Sequence, residues 1–220
     1  MIIEGKKDKF KTFKITCAGS DSPNVRSIAE YIQKTYGLTE KDEADMKIHT
    51  IAYAMNSLSG LGNANSYLNV FSGSATLLIE AGQCYPNLKQ LVGFDNNKKT
   101  ISLAIQNIKK AGLIRRILLK EKDIFDKPDL GKFDVITSDL PFGMSISKGG
   151  NLEKLYQCFI KYCQETLNHG GRLVVYTSEP EMLKEIILKS KFKIIKTVEL
   201  KFLTSVNACL RPKIFICIFK

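Results

Sequence analysis

Two histidines, His49 and His169, are all the chain contains, and its six cysteines form no C-x-x-C pair. From those spacings no zinc or other transition-metal cluster can be assembled, so no metal is expected. Cys17, Cys84, Cys158, Cys163, Cys209 and Cys217 instead include several in apolar runs such as Ile216-Cys217-Ile218, where cysteine acts as a small hydrophobe. An even cysteine count argues for disulfides only in a short secreted chain. Long apolar runs are also missing, and the longest are far too short to cross a bilayer. The first residues, Met1-Ile2-Ile3-Glu4-Gly5-Lys6-Lys7-Asp8, are too polar for a signal peptide. A cytoplasmic protein without a membrane partner is expected. Acid is scarce beside base: 33 Lys and Arg face 22 Asp and Glu, a net charge of +11, and +10 of it falls in residues 51–220. Such a surplus favours a polyanionic partner, because neutralised phosphates release counterions. On charge alone, a Lys- and Ile-rich chain from a biased genome accounts for it equally well.

What is present is ordinary globular composition, 44% hydrophobic over 220 residues, enough for one complete domain and a small extra unit. Residues 1–50 read as a small β-α-β piece. Phe10 to Cys17 alternates as a strand, Gly19 to Asn24 is a turn, and Val25 to Tyr36 carries Val25, Ile28, Ala29 and Ile32 on one helical face. Ala44 to Thr50 is a second strand. A short helix over 51–58 follows, broken by Gly60-Leu61-Gly62-Asn63. Beyond it strands are expected at 66–71, 89–94, 115–120, 133–138 and 171–177, with helices at 75–84, 97–111, 151–168 and 179–190. Strands separated by helices imply βαβ units and a parallel sheet. Lys191 to Phe202 and Lys213 to Phe219 are strand-like with no helix between them and predict an antiparallel pair closing the sheet. The fold class expected is α/β, Rossmann-like, with residues 51–220 as its main domain.

Three strand tips carry candidate ligand contacts. Leu68-Asn69-Val70-Phe71-Ser72-Gly73-Ser74-Ala75-Thr76 is a strand, a small-residue turn and a helix start. Small residues let a ligand approach the backbone, and a helix N-terminus presents free N–H groups; a plain tight turn has the same look. Asn69, Phe71, Ser72, Gly73, Ser74 and Thr76 are the candidates there. Asp95 ends the next strand 22 residues past Gly73, where an acid can take both hydroxyls of a ribose, with Asn96 beside it. It can equally cap the helix that follows. Asp123, after the third strand, can accept from an adenine amino group, with Ile124 or Phe125 against the ring; a surface-loop aspartate explains it almost as well.

Asp139-Leu140-Pro141-Phe142-Gly143, after the apolar run Phe133 to Ser138, is the strongest signal. An exocyclic base amine is a poor nucleophile because its lone pair is delocalised into the ring. The Asp139 carboxylate and the Leu140 carbonyl can each accept one of its N–H bonds, turning the lone pair toward an electrophile. Pro141 has a fixed φ and stiffens the turn. Phe142 offers a face on which an extruded base can stack. The methyl of a sulfonium can then pass in line to the nitrogen, and Asp139 stabilises the charge appearing there. By itself D-x-P-F is also an ordinary strand stop. His169, in Asn168-His169-Gly170-Gly171-Arg172, reads as part of a helix-capping turn rather than as a base.

On Asn69 to Gly82, Gly93 to Asp95, Asp123 to Asp126, Ser138 to Gly143 and Gly170-Gly171-Arg172, residues 66–220 resemble the catalytic domain of the THUMP-linked RNA guanine-N2 methyltransferases. Residues 10–50 look like the later part of a THUMP domain, an RNA-binding module. The resemblance implies S-adenosyl-L-methionine as cofactor, RNA (and, through the THUMP-like piece, tRNA) as partner, and guanine N2 as the target. Asp-Leu-Pro-Phe marks amino-group methylation without separating guanine from adenine, so N6-adenine methylation stays open. Two residues depart from the family. Asn69 stands where an Asp is usual, and Gly73-Ser74-Ala75 where Gly-Ser-Gly is usual. Asn69 brings no negative charge to balance a sulfonium, and Ala75 adds a methyl near the cofactor's approach. An RNA-binding protein with a decayed cofactor site is the third alternative.

Overall fold

The computed structural model describes residues 12–15, 33, 39–40, 46–48, 50–141, 151–200, 202–205 and 208–220. Near the N-terminus, β1 (Thr12–Ile15) lies between β2 (Thr39–Glu40) and β3 (Met46–Ile48), parallel to both. The parallel β1–β3 pair matches the expected β-α-β unit. The helix expected over 25–36 falls, apart from Gln33, outside the described residues, as does the turn before it.

Then comes the alternation. Helix α1 (Thr50–Leu58) ends at Gly60, whose φ of 77° suits a residue without a Cβ. It leads to β4 (Ser66–Val70), α2 (Thr76–Cys84), β5 (Gln90–Asp95), α3 (Lys98–Lys110), β6 (Ile117–Glu121), β7 (Phe133–Asp139), α4 (Leu152–Thr166), β8 (Leu167–Thr177), α5 (Pro180–Leu188) and β9 (Phe192–Glu199). A hairpin of β10 (Phe202–Ser205) and β11 (Ala208–Leu210) precedes β12 (Lys213–Phe219). Seven strands form one sheet in the order β6-β5-β4-β7-β8-β12-β9. Pairings from β6 to β8 are parallel, and β12 runs antiparallel to both β8 and β9. This is the expected α/β sheet with an antiparallel close.

Both faces are covered. Leu68, Val70, Ile136, Leu173, Val175 and Phe215 face Tyr156, Phe159, Ile160 and Cys163 of α4 and Leu183 and Ile187 of α5. On the other face Tyr67, Leu91 and Val135 meet Leu78 and Ala81 of α2 and Ala104 and Ile108 of α3. There too Met55 of α1 packs on Val174, Tyr176 and Ile214. Phe159 is fully buried, so Phe159→Ala removes a large core side chain and costs about 3–5 kcal/mol.

One local reading needs correction. Asn168 to Gly171 was expected as a capping turn with a strand from 171, but β8 begins at Leu167, directly after α4. The ladder accommodates the turn-forming residues as an irregularity. Phe133 pairs with Leu167 and Val135 with Arg172, and Gly170 at φ 76° takes up the slack. A Cβ at Gly171 would meet the Asn168 and Asp134 carbonyl oxygens within 2.9 Å, so the close approach requires glycine. His169 lies at this irregularity, its ring 6.2 Å from that of Phe219.

Strand order reverses between β4 and β7: the chain works outward through β5 and β6, then returns to pair with β4 on its other side. Such a switch point opens a crevice at the carboxyl ends of the strands. The residues at those ends are the small-residue turn after β4 and Asp139 at the end of β7.

Candidate active site

The turn after β4 is strained. Phe71 (φ 55°), Gly73 (φ 51°) and Ala75 (φ 66°) take left-handed conformations at every second residue. For Phe and Ala that costs about 1–2 kcal/mol each, and such strain gathers at ligand-binding turns. Alternating backbone of this kind gathers N–H groups into a concavity that favours an acceptor. Asp95 supplies one: its Oδ2 accepts from Gly73 N–H at 3.0 Å. The turn is further tied by Ser72 N–H to the Phe94 carbonyl (2.9 Å), Ala75 N–H to the Ser72 carbonyl (2.8 Å) and Ser72 Oγ–H to the Asn69 carbonyl (2.9 Å). Gly93 makes room for it, since a Cβ there would stand 2.4 Å from both Ser72 Oγ and Leu78 Cδ1.

The two readings left open for Asp95 are separated here. The helix cap is Asn97, whose Oδ1 accepts from Lys99 N–H (3.0 Å) and Thr100 N–H (3.1 Å). Asp95 accepts instead from Gly73 N–H and, through Oδ1, from Asn97 N–H (3.0 Å). Each of its oxygens keeps a lone pair for a further donor. Asn96 Nδ2 donates to Asp123 Oδ2 (3.0 Å), and Asp123 Oδ1 caps the short 3₁₀ turn Ile124–Asp126 through Phe125 N–H (2.9 Å). The tips of β5 and β6 are thus joined. Ile124 is buried in the core, whereas Phe125 is exposed. Phe71 packs inward, its ring 5.9 Å from Phe159, and the Ser74 and Thr76 hydroxyls bond each other at 2.9 Å.

The two departures from the family pattern have clear settings. The Ala75 methyl is fully buried against Leu78 and Ala81, on the core side of the turn. Asn69 is fully buried beneath the turn and donates from Nδ2 to the Thr137 carbonyl at 3.1 Å. Its Oδ1 is buried without a hydrogen-bond partner, alone in this among the described side chains. An unfilled acceptor under a strained turn, with an anchored acid beside it, fits a polar ligand at this end of the sheet.

Asp139 lies on the same side. Thr137 reaches the Tyr67 hydroxyl, and Tyr67 packs against Ala75 and Leu78, so Thr137 faces the turn and α2. Strand alternation puts Asp139 on the face of Thr137, while Leu140 is buried in the opposite core. The Leu140 N–H bonds the Tyr176 carbonyl (3.0 Å), and the Pro141 carbonyl accepts from the Tyr156 hydroxyl (3.1 Å). No donor reaches the Asp139 carboxylate among the described residues. It remains accessible from the open end of the crevice, yet the surrounding protein pushes its carboxyl from the ordinary 3.8 up to about 6. Desolvation without a compensating partner is the cause. Phe142 lies outside the described residues. The structure therefore brings Asn69, Ser72, Gly73, Asp95 and Asp139 to one end of the sheet, while Ile124 and the Phe71 ring belong to the core. Tyr156, Tyr176 and Thr177 also belong to this end and were not singled out from sequence, where each reads only as a helix-face or strand residue.

Comparison with known proteins bears on the family and the fold. The UPF0020 family model, described as RMKL-like, methyltransferase domain, matches residues 39–206. The U6 snRNA (guanine-N(2))-methyltransferase THUMPD2 of Bos taurus is 31% identical over 131 residues, 59% of this chain and 25% of that one. The tRNA (guanine(6)-N2)-methyltransferase of Methanocaldococcus jannaschii is 28% identical over 117 residues, 53% of this chain and 31% of that one. The matched stretch thus spans about a quarter to a third of these relatives' length. Among solved structures, TrmN from Thermus thermophilus superposes with a TM-score of 0.61 at 20% identity, covering 98% of this chain and 74% of that one; it shares the fold.

Proposed function

The chain belongs to the UPF0020 family of RMKL-like methyltransferase domains, and from that membership we propose that it methylates an exocyclic base amine of RNA, guanine N2, using S-adenosyl-L-methionine. The observation that carries the reading is Asp139: an acid without a hydrogen-bond donor among the described residues, at the switch point, on the face of the strained turn.

The cofactor fits the other strand tips. Ser72, Gly73, Ser74 and Thr76 line the turn and its helix start, Asp95 is held with lone pairs free for a ribose diol, and the bonded pair Asn96–Asp123 is the candidate partner of an adenine edge. Phe125, exposed beside them, offers a ring face; Ile124 contributes only backbone. When bound, the cofactor supplies a methyl activated by a sulfonium. Asp139 accepts one N–H of the base amine and the Leu140 carbonyl the other, turning the lone pair out of the ring plane. As positive charge grows on nitrogen the carboxylate stabilises it and takes the departing proton, a task for which a carboxyl near 6 is better matched than one near 4. The stacking of the base is the role this reading assigns to Phe142, which follows Pro141 in the sequence.

RNA as substrate is supported by the relatives named above and by the basic surplus in residues 51–220. The resemblance of residues 10–50 to a THUMP module favours tRNA. A division near residue 50 is supported by β1–β3 pairing among themselves, apart from the large sheet. A cytoplasmic site of action goes with this reading. N6-adenine methylation uses the same motif. The decayed-site alternative loses one of its two grounds, since the Ala75 methyl faces the core. The test is to incubate the chain with labelled S-adenosylmethionine and unmodified tRNA or U6 RNA and to identify the product nucleoside. N2-methylguanosine is expected. Methyladenosine moves the target to adenine, and no transfer to any RNA refutes the activity.

A further inference from the structure

Two tyrosines of α4 make the same bond at two places. Tyr162 donates its hydroxyl to the Pro128 carbonyl at 3.0 Å, and Tyr156 donates to the Pro141 carbonyl at 3.1 Å. Only Pro141 belongs to the turn that carries Asp139. We propose that Tyr156 is the positioning residue for Asp139: a buried relay entering its hydroxyl from Thr177 fixes the Pro141 carbonyl and so holds the carboxylate toward the crevice.

The relay has one direction. Glu179 N–H donates to Thr177 Oγ1 at 2.9 Å, and the Thr177 and Tyr156 hydroxyls lie 3.0 Å apart. Because Tyr156 gives its proton to Pro141, Thr177 is the donor between them. Each hydroxyl then gives one hydrogen bond and takes one, and the aligned bonds polarise each other. Both side chains are fully buried. Burial raises the Tyr156 phenol above its ordinary value, against the lowering effect of Thr177, so it stays a proton donor across the neutral range. Pro141 has no N–H, which leaves its carbonyl as its only backbone hydrogen-bonding group.

The motif is therefore pinned three times: by the β7–β8 register at Asp139 and Tyr176, by the Leu140 N–H on the Tyr176 carbonyl, and by Tyr156. The first two are the sheet's own ladder. The third comes from a helix and rests on a single oxygen atom. The titratable groups facing Asp139 among the described residues are Tyr156 from α4 and Tyr176 from β8, with Glu179 at the start of α5 acting on Tyr156. Both tyrosines are neutral near pH 6, so neither places a charge beside the carboxyl there, and desolvation by the surrounding protein is what raises it.

The inference rests on the proposed function for its kinetic readout alone. The experiment compares wild type, Tyr156→Phe, Thr177→Val and the matched control Tyr162→Phe in the full chain. It measures the titration of the Asp139 carboxyl by carbon NMR, the affinity for S-adenosylhomocysteine, and single-turnover methyl transfer. For Tyr156→Phe the Asp139 midpoint is expected to fall from about 6 by half a unit or more. Transfer is expected to slow about ten-fold, as for a small misplacement of a reacting group, with S-adenosylhomocysteine affinity within about two-fold of wild type. Thr177→Val should shift both readouts the same way by less, and it carries the test if Tyr156→Phe does not fold. Tyr162→Phe should move neither. An unchanged Asp139 midpoint in both relay variants, or equal effects from Tyr156→Phe and Tyr162→Phe, overturns the proposal. If wild type transfers no methyl group, the titration arm still decides the positioning role while the proposed function fails.

Discussion

Asp95 and Asp139 end two strands of one sheet, at the same edge, with only β4 between them. In sequence they look alike, each an acid closing an apolar strand. In the fold they are opposites. Both oxygens of Asp95 are engaged, by Gly73 N–H and Asn97 N–H. Those of Asp139 take no donor among the described residues, and burial lifts its carboxyl to about 6. One acid organises the turn around it; the other is held by its surroundings and left with open valence. The lesson is that backbone donors decide which acid is architecture and which is free to react, and backbone donors are invisible to residue spacing.

The largest effect that can break this comparison is on chemistry. Asp139→Asn keeps the shape and removes the charge, so methyl transfer should fall by about 10²–10³, the range for losing one acid–base or charge-stabilising group. Affinity for S-adenosylhomocysteine should stay within a few-fold. Asp95→Ala should do the reverse. It leaves the Gly73 and Asn97 N–H groups without their acceptor, so melting should report a loss of about 1–3 kcal/mol. Calorimetric titration should show S-adenosylhomocysteine bound at least ten-fold more weakly, by roughly 1.4 kcal/mol per decade. If Asp95→Ala binds normally, the two acids do not divide the work in this way.

A smaller effect concerns stability against pH. The folded state raises the Asp139 pKa from 3.8 to about 6, so it binds that proton more tightly than the unfolded chain. The advantage of the protonated form is complete below about pH 4 and is lost as pH rises through about 6. A two-unit shift corresponds to about 3 kcal/mol, and for a carboxyl open to solvent on one side about 1 kcal/mol is the reasonable expectation. Asp139→Asn should therefore be more stable than wild type at pH 7 by that amount and equal to it near pH 4, as denaturant titrations at the two pH values would show. The smallest effect sharpens the comparison at the turn. Ala75→Gly relieves a left-handed alanine worth about 1 kcal/mol, but gives up about 0.8 kcal/mol of buried methyl. Melting should move little, and S-adenosylhomocysteine affinity should stay within two-fold, because the methyl lies in the core.

Much of the fold was legible because, apart from β6 and β7, which a short 3₁₀ turn joins, the strands from β4 to β9 alternate with helices at short spacing, and the strands expected at 133–138 and 213–219 lie almost where β7 and β12 do. Asn168 to Gly171 misled because Gly-Gly signals a turn, whereas here the β7–β8 ladder absorbs it as an irregularity. The β10–β11 hairpin lies almost wholly between the two closing strands, in a stretch for which no element was expected. At the site, Asp139 and Gly73 were legible because turn chemistry confines such residues. Asn97 was not, since Asn97 and Asp95 are equally good caps until the helix start is fixed. Tyr156 and Thr177 were hidden because a hydroxyl on an otherwise apolar face says nothing about the carbonyl or hydroxyl it meets 15 or 21 residues away.

The most direct test of the central claim is the pH dependence of single-turnover methyl transfer to RNA. An ionised Asp139 predicts a rate that rises about ten-fold per pH unit up to an apparent pKa near 6 and levels above it, with that limb absent from the residual activity of Asp139→Asn. A rate flat from pH 5 to 7, or an acid limb that persists unchanged in Asp139→Asn, would contradict the account.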